Sequence, residues 1–307
     1  MSMAHPASST VRQAAKGTAS VITSRENRWL KRFRAALAGD RGDGVVVGVE
    51  GVRLVEAALG SGLPVEALLV SDSGARHLPR VAPVLASGVP VLRTSDKLFA
   101  GIADTQTPQG IAALVRPQQS TMENLLPGTA LLVVLVGLQD PGNVGTIVRA
   151  AEAFGATGAA TCPADGVGTA DPFGPKALRA SAGSALRLPI VQANSPAILL
   201  AQLRMFRVKV YAAVAAAEVS RNQDSGAASS LLCPWDIDWK TPAAILIGNE
   251  GSGLPGDLVR AADACVYIPQ AAANAPVGIE SLNAAVAASV LLYEAMRQRN
   301  PDRQLNK

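Results

Sequence analysis

The chain has 307 residues, enough for about two domains with real cores. With 49% hydrophobic and 17% charged residues it is not a disordered polypeptide. A formal charge of +4 and a pI near 9.1 lean toward a polyanionic partner.

Residues 130–136 form the longest aliphatic run, far short of the roughly 20 residues that cross a bilayer, and read as a buried strand. No continuous apolar stretch near the N-terminus has the form of a secretory signal. Cys162, Cys233 and Cys265 are too dispersed for a CxxC element, and His5 and His77 are the only imidazoles. No metal site is expected, therefore, and the thiols read as reduced core residues of a cytoplasmic protein.

Residues 1–22 read as a flexible basic arm; the first 34 residues carry seven Arg or Lys against one acid, Glu26. Residues 25–37 have helical spacing, with Trp29, Leu30, Phe33 and Leu37 on one side and Arg28, Lys31, Arg32 and Arg34 elsewhere. Strands are expected at 45–49, 65–70, 89–92 and 110–115, and helices at 51–60, ending at glycine, and at 77–85. Residues 23–117 thus make a small α/β domain, and 118–129, with Pro127 and Gly128, a linker.

A second domain, 130–299, begins with strand 131–136 and continues through helix 144–154 to a weak strand at Ala159 and Ala160. Helix 198–205, strands 208–214, 244–247 and 265–268, and a final helix 282–297 follow, before a tail at 300–307. Strands alternating with helices predict a largely parallel sheet covered on both faces, with ligands outside the carboxyl ends of the strands.

Three loops after predicted strands carry chemistry. In the first, Pro141 and Gly142 make a turn, Asn143 is expected to cap the next helix, and Arg149 follows nearly two turns on. In the second, Gly248, Gly251 and Gly253 surround Glu250 and allow close backbone approach, and Pro255 can open a helix. Gly251, Gly253 and Gly256 fit G-x-G-x-x-G, but the first glycine comes four residues after the strand and position 276 is proline, against a dinucleotide site. In the third, Ser281 is expected to cap a helix with the apolar stripe Leu282, Val286, Val290 and Tyr293, which suits a core or an interface. Ser281 has no histidine in its half of the chain, which disfavours a hydrolytic triad. Taken singly, each loop also reads as a cap, a tight turn or a packed helix.

Taken together, the loops resemble the SpoU (TrmH-type) branch of the SPOUT superfamily of S-adenosylmethionine-dependent RNA ribose 2'-O-methyltransferases. Asn143, Gly145 and Arg149 match its first motif; Gly248, Glu250, Gly251 and Gly253 its second; Ile268, Pro269, Ser281, Leu282 and Asn283 its third. Between them Asp171, Pro172, Pro175, Lys176, Arg179 and Ser181 to Gly183 also follow the pattern. Residues 50–53 and 104–110 resemble the small substrate-binding domain often found upstream. The loop at 270–278, after Pro269, is longer than usual.

This resemblance implies an α/β SPOUT domain with a parallel sheet and deep trefoil knot, a small N-terminal α/β domain like ribosomal protein L30e, and a homodimer. The implied cofactor is S-adenosylmethionine and the partner structured RNA, with ribosomal (23S-type) RNA favoured over transfer RNA; no membrane or metal is implied. A non-catalytic RNA-binding paralogue is the alternative from another class, disfavoured because Asn143, Arg149 and Glu250 are all present. By carry-over, Arg149 faces the target ribose, Glu250 orients Arg149, and Asn143, Ser281 and Asn283 complete the catalytic pocket. Gly248, Glu250, Gly251, Ile268, Pro269 and Leu282 would hold the cofactor. Arg28, Lys31, Arg32, Arg53, Lys176 and Arg179 would meet RNA, either there or as plain surface residues, and the basic arm reads as RNA-contacting in preference to an organelle transit segment.

Overall fold

A computed structural model describes residues 20–41, 46–215, 230–271 and 281–300. Most of the basic arm, the lengthened loop from 272 and the tail from 301 lie outside the described residues. The chain divides into two compact units, Met1–Gln118 with Phe173–Arg187, and Gln119–Pro172 with Leu188–Lys307.

Unit 1 opens with β1 (Ser20–Ile22), a short edge strand inside the segment expected to be an arm, paired in parallel with β4 (Val91–Thr94). α1 (Arg28–Leu37) starts where the Asn27 side chain accepts from Trp29 N at 2.8 Å, and buries Leu30, Phe33, Ala36 and Leu37. β2 (Val47–Glu50), α2 (Val52–Gly60), β3 (Val65–Ser71), α3 (Leu78–Val81), α4 (Asp96–Ala100) and β5 (Ile111–Val115) complete its contiguous part. The sheet runs β1-β4-β3-β5-β2, parallel from β1 to β3 and antiparallel at β5 and β2. Ile22, Leu30, Phe33, Leu69, Leu92, Phe99 and Leu114 form one core.

Unit 2 begins with α5 (Met122–Leu125), a short helix within the expected linker, held by a Thr121/Asn124 capping box. Then come β6 (Leu131–Val136), α6 (Pro141–Ala153) and β7 (Gly158–Cys162). Phe173–Arg187, which contains α7 (Pro175–Ala180), packs as part of unit 1, although its motif pattern placed it in the second domain. The chain resumes unit 2 with β8 (Ile190–Gln192), α8 (Pro196–Met205), β9 (Lys209–Ala213), β10 (Ser230–Leu232), β11 (Ala243–Ile247), α9 (Gly256–Ala261), β12 (Ala264–Val266) and α10 (Ala284–Arg299). All seven strands are parallel, in the order β10-β12-β9-β11-β6-β7-β8.

Every residue of β6 and β11 is buried. Leu132, Val134 and Val136 join one core with Leu199, Leu203 and Leu258, while the alternate residues Leu131, Val133 and Leu135 are equally inaccessible, so both faces of the sheet are covered. α10 buries Ala285, Ala288, Leu291, Leu292 and Ala295. The stripe read from sequence points the other way: Val286, Val290 and Tyr293 are 50%, 39% and 50% exposed. Three alanines and the pair Leu291 and Leu292 form the packed face of α10, whereas Val286, Val290 and Tyr293 stay outside.

At the far end of α10, Arg299 donates to four backbone carbonyls: Trp239 at 2.6 Å, Thr129 at 2.7 Å, and Ala130 and Thr241 at 2.9 Å. This ties the last helix to the starts of β6 and β11.

Candidate cofactor and catalytic site

The exits of β6, β9, β11 and β12 lie at the carboxyl pole of the unit 2 sheet, where a parallel sheet presents its ligand loops. α6 rises from the first of them. Its N-cap is Asp140, whose carboxylate accepts from Gly142 N at 3.0 Å, with Pro141 in the first turn. Asn143, expected as the cap, lies inside the helix, and its amide is available for a longer reach.

That amide joins the three loops. Asn143 Nδ2 donates to Glu250 Oε1 at 2.9 Å, and Asn143 Oδ1 accepts from Asn283 Nδ2 at 3.1 Å. Asn283, and not Ser281, caps α10, accepting from Ala285 N at 2.9 Å and Val286 N at 3.3 Å. Glu250 also accepts from the backbone N–H groups of Gln139 and Asp140, each at 3.3 Å. Burial works to raise the Glu250 pKa, but the Asn143 amide and the backbone donors outweigh it and hold the carboxyl below its usual range.

Beside this chain lies a cleft. Its apolar wall includes Val214, Ile247, Val266, Ile268, Leu282 and Leu291; its polar side chains include Asn249, Glu250, Gln270 and Ser281; Gly248, Gly251 and Gly253 offer bare backbone. No Lys or Arg lines it among the described residues. Gly248 has no alternative, since a Cβ there would lie 2.4 Å from the Gly253 carbonyl carbon. Gly253 takes a positive φ of 70°, which closes the loop.

The structure therefore gathers Asn143, Glu250 and Asn283 into one hydrogen-bonded chain, and Gly248, Glu250, Gly251, Ile268, Ser281 and Leu282 around one cleft. Pro269 is exposed, between the lining residues Ile268 and Gln270. Arg149 is exposed on α6 and makes no hydrogen bond or ion pair among the described residues, so the expected Glu250 to Arg149 contact is absent there. Glu250 instead holds Asn143 and the β6 exit. Sequence reasoning missed Asp140 as a cap and gave Asn249 no role; an Asx residue directly after Gly248 in a glycine-rich loop was the available signal for the latter.

The six basic candidates all belong to unit 1. Arg28 and Arg32 lie 5.8 and 5.9 Å from the Trp29 ring centroid. Arg32 also shares Glu66 with Arg116. Lys31 pairs with Glu26 at 2.6 Å and Arg179 with Asp104 at 2.5 Å, while Arg53 and Lys176 are exposed. The two upstream motifs meet: buried Glu50 accepts from Asp104 N at 2.9 Å and from the Thr105 hydroxyl, and Gln109 accepts from Val52 N at 2.8 Å. Among the described residues no group of three or more His, Cys, Asp or Glu is placed to hold a metal ion, and no helix is long and apolar enough to cross a membrane.

Comparison with known proteins gives this geometry a family. Residues 130–293 match the SpoU rRNA methylase family, and residues 41–113 match the MRM3-like substrate binding domain. The chain belongs to the SpoU rRNA methylase family. It is 34% identical over 247 residues to the 23S rRNA (guanosine(2553)-2'-O)-methyltransferase RlmP of Bacillus subtilis, covering 80% of this chain and 86% of that one. To the 23S rRNA (uridine(2479)-2'-O)-methyltransferase of Streptomyces viridochromogenes it is 32% identical, covering 91% and 92%. The AdoMet-bound rRNA methyltransferase from Sinorhizobium meliloti superposes with a TM-score of 0.72 at 30% identity, over 92% of this chain and 98% of that one.

Proposed function

We propose that this protein transfers a methyl group from S-adenosylmethionine to a ribose 2'-hydroxyl of structured RNA, with large-subunit ribosomal RNA as substrate. The observation that carries this reading is the Asn283–Asn143–Glu250 chain beside a glycine-walled cleft, in a member of this family. Two relatives named for 2'-O-methylation of 23S rRNA act on different bases, guanosine and uridine. A shared reaction with different targets suggests that nucleotide choice is made outside the shared motifs.

The cleft suits the cofactor. Apolar side chains offer a slot for a purine ring, bare glycine backbone admits close approach, and a lining that among the described residues holds a carboxylate and no cation suits a sulfonium. When bound, the cofactor supplies an electrophilic methyl group. Gly248, Ile268 and Leu282 would hold it, with Gly251 contributing its Cα surface. Asn143, fixed from both sides by Glu250 and Asn283, would set the β6 exit against the nucleotide. Arg149 would act as a fixed cation that stabilises negative charge developing on the ribose oxygen. The hydroxyl proton would pass to an RNA phosphate or water. Alignment of the reacting oxygen with the methyl carbon and sulfur supplies much of the remaining rate.

Further parts of the reading concern assembly. The exposed stripe Val286, Val290 and Tyr293 supports a homodimer formed through α10, and Tyr293 is backed by Phe154 in an edge-on ring contact at 5.8 Å. Val290→Asp should then turn a dimer into a monomer by sedimentation velocity. The strand order, with β12 between β9 and β10, suits a deep trefoil knot, and the mixed sheet of unit 1 an L30e-like domain. Cys162, Cys233 and Cys265, none of them in a disulfide, suit the cytoplasm.

The test is incubation with methyl-labelled S-adenosylmethionine and separate pools of unmodified large-subunit rRNA, small-subunit rRNA and tRNA, followed by nuclease digestion and mass spectrometry. One 2'-O-methylated nucleotide in large-subunit rRNA, absent with Arg149→Ala, is expected. Transfer only to tRNA would overturn the substrate, and absence of cofactor binding would overturn the reaction.

A further inference from the structure

Glu250 accounts for only half of what joins the β11 exit to the β6 exit. Its neighbour Asn249 makes three side-chain hydrogen bonds. Asn249 Nδ2 donates to the Gly137 carbonyl at 2.9 Å, while Asn249 Oδ1 accepts from Gly251 N at 2.9 Å and from Ser252 N at 3.1 Å. Its backbone closes the same loop, with Asn249 N to Gly253 O at 2.9 Å and Gly253 N to Asn249 O at 3.0 Å.

These bonds define the amide. Because its oxygen meets two N–H donors, its nitrogen must face the Gly137 carbonyl, and no other side chain of this size offers both faces at neutral pH. Gly137 in turn donates to the Cys162 carbonyl at 3.0 Å, so the bond anchors the loop to β6 and β7 together. Gly251 and Ser252 spend their N–H groups on Asn249, which leaves Gly251 to meet a ligand through its Cα surface.

We infer that Asn249 is a positioning residue for methyl transfer: its amide fixes the glycine loop of the cleft at the height where Glu250 reaches Asn143. The consequence for catalysis rests on the methyltransferase reading, whereas the loop closure does not. Asn249 and Glu250 hold successive points of the β6 exit, at Gly137 and at Gln139, Asp140 and Asn143. Losing the first should let the second drift.

Two variants test this. Asn249→Ala removes all three bonds; Asn249→Asp keeps the acceptor pair but sets an oxygen against the Gly137 carbonyl. In hydrogen–deuterium exchange of the full chain without cofactor, the amides of Gly251 and Ser252 should be protected in the wild type and in Asn249→Asp at low pH, and should exchange about tenfold faster in Asn249→Ala. By calorimetry both variants should bind S-adenosylmethionine about tenfold more weakly at pH 8, with a matching rise in KM and unchanged RNA affinity.

Only Asn249→Asp should recover binding as the pH falls, since its protonated carboxyl can again donate to Gly137. The neighbouring Glu250 carboxylate and the Gly137 carbonyl oxygen favour protonation of the introduced group, while the Gly251 and Ser252 N–H groups oppose it, so recovery is expected only toward acid. Unchanged exchange or unchanged cofactor affinity in Asn249→Ala overturns the inference. So does identical behaviour of the two variants at every pH, because a purely structural role would show no recovery. If the wild type binds no S-adenosylmethionine while the exchange pattern holds, the functional reading falls and takes the positioning role with it.

Discussion

The two units differ in charge as sharply as in shape of sheet. Met1–Gln118 with Phe173–Arg187 holds 17 Lys or Arg against nine Asp or Glu, a net of +8; the remainder holds 11 against 15, a net of −4. A modest overall +4 therefore conceals a basic body and an acidic one. On the proposed reading, capture of a polyanion and handling of a cationic methyl donor make opposite electrostatic demands, and the charge is divided between the units accordingly. On that reading Arg149 is an exception among the 11 Lys and Arg of the acidic unit, the one assigned to the reaction itself, on the helix that rises from the first motif loop.

The largest effect should come from that exception. Arg149→Ala should lower turnover by about 10²–10³-fold while cofactor and RNA affinity hold, read by single-turnover methylation and calorimetry; a parallel loss of RNA affinity would break the separation of roles. Next is the amino pole of the same unit. Arg299→Ala leaves four carbonyls without their donor and should cost about 3 kcal/mol in urea unfolding, with Arg299→Lys recovering part. A smaller effect is expected in unit 1. Arg28→Ala or Arg53→Ala should each reduce the slope of log affinity against log salt by about 0.7–0.9, whereas Lys240→Ala in unit 2 should leave it unchanged.

The smallest concerns Glu250. A carboxyl with a depressed folded-state pKa contributes stability in full above the ordinary glutamate pKa, and that contribution is lost as the pH falls from there through the depressed value. The thermal stability gap between wild type and Glu250→Gln should accordingly be constant near neutrality and shrink only in acid. A gap widening toward acid would contradict the hydrogen bonds that Asn143 and the β6 exit donate.

Long apolar runs made β6 and β11 legible, and the glycine, carboxylate and amide motifs brought most of the site together on paper. What the pattern hid has physical causes. β1, β8 and β10 are three-residue strands whose pairing is set by neighbours far along the chain. Both expected helix caps were displaced, from Asn143 back to Asp140 and from Ser281 forward to Asn283, because several Asx and Ser residues crowd each start and only tertiary contacts choose among them. On α10 the stripe Leu282, Val286, Val290 and Tyr293 suited a core or an interface; the packed face is instead formed by Ala285, Ala288, Leu291, Leu292 and Ala295, which leaves Val286, Val290 and Tyr293 exposed. Arg149 and Glu250 were singled out from the motifs, but their supposed contact depended on geometry that spacing alone does not contain.

The assignment of Phe173–Arg187 to unit 1 has a consequence for biogenesis. A ribosome finishes residue 118 well before residue 187, an interval on the order of several seconds at ordinary elongation rates. Through that interval the nascent N-terminal body waits for its last helix, while β6, α6 and β7 have already been synthesised. On this division the first unit is complete only once residue 187 has been made, and severing the polypeptide at the linker would separate Phe173–Arg187 from the rest of its unit.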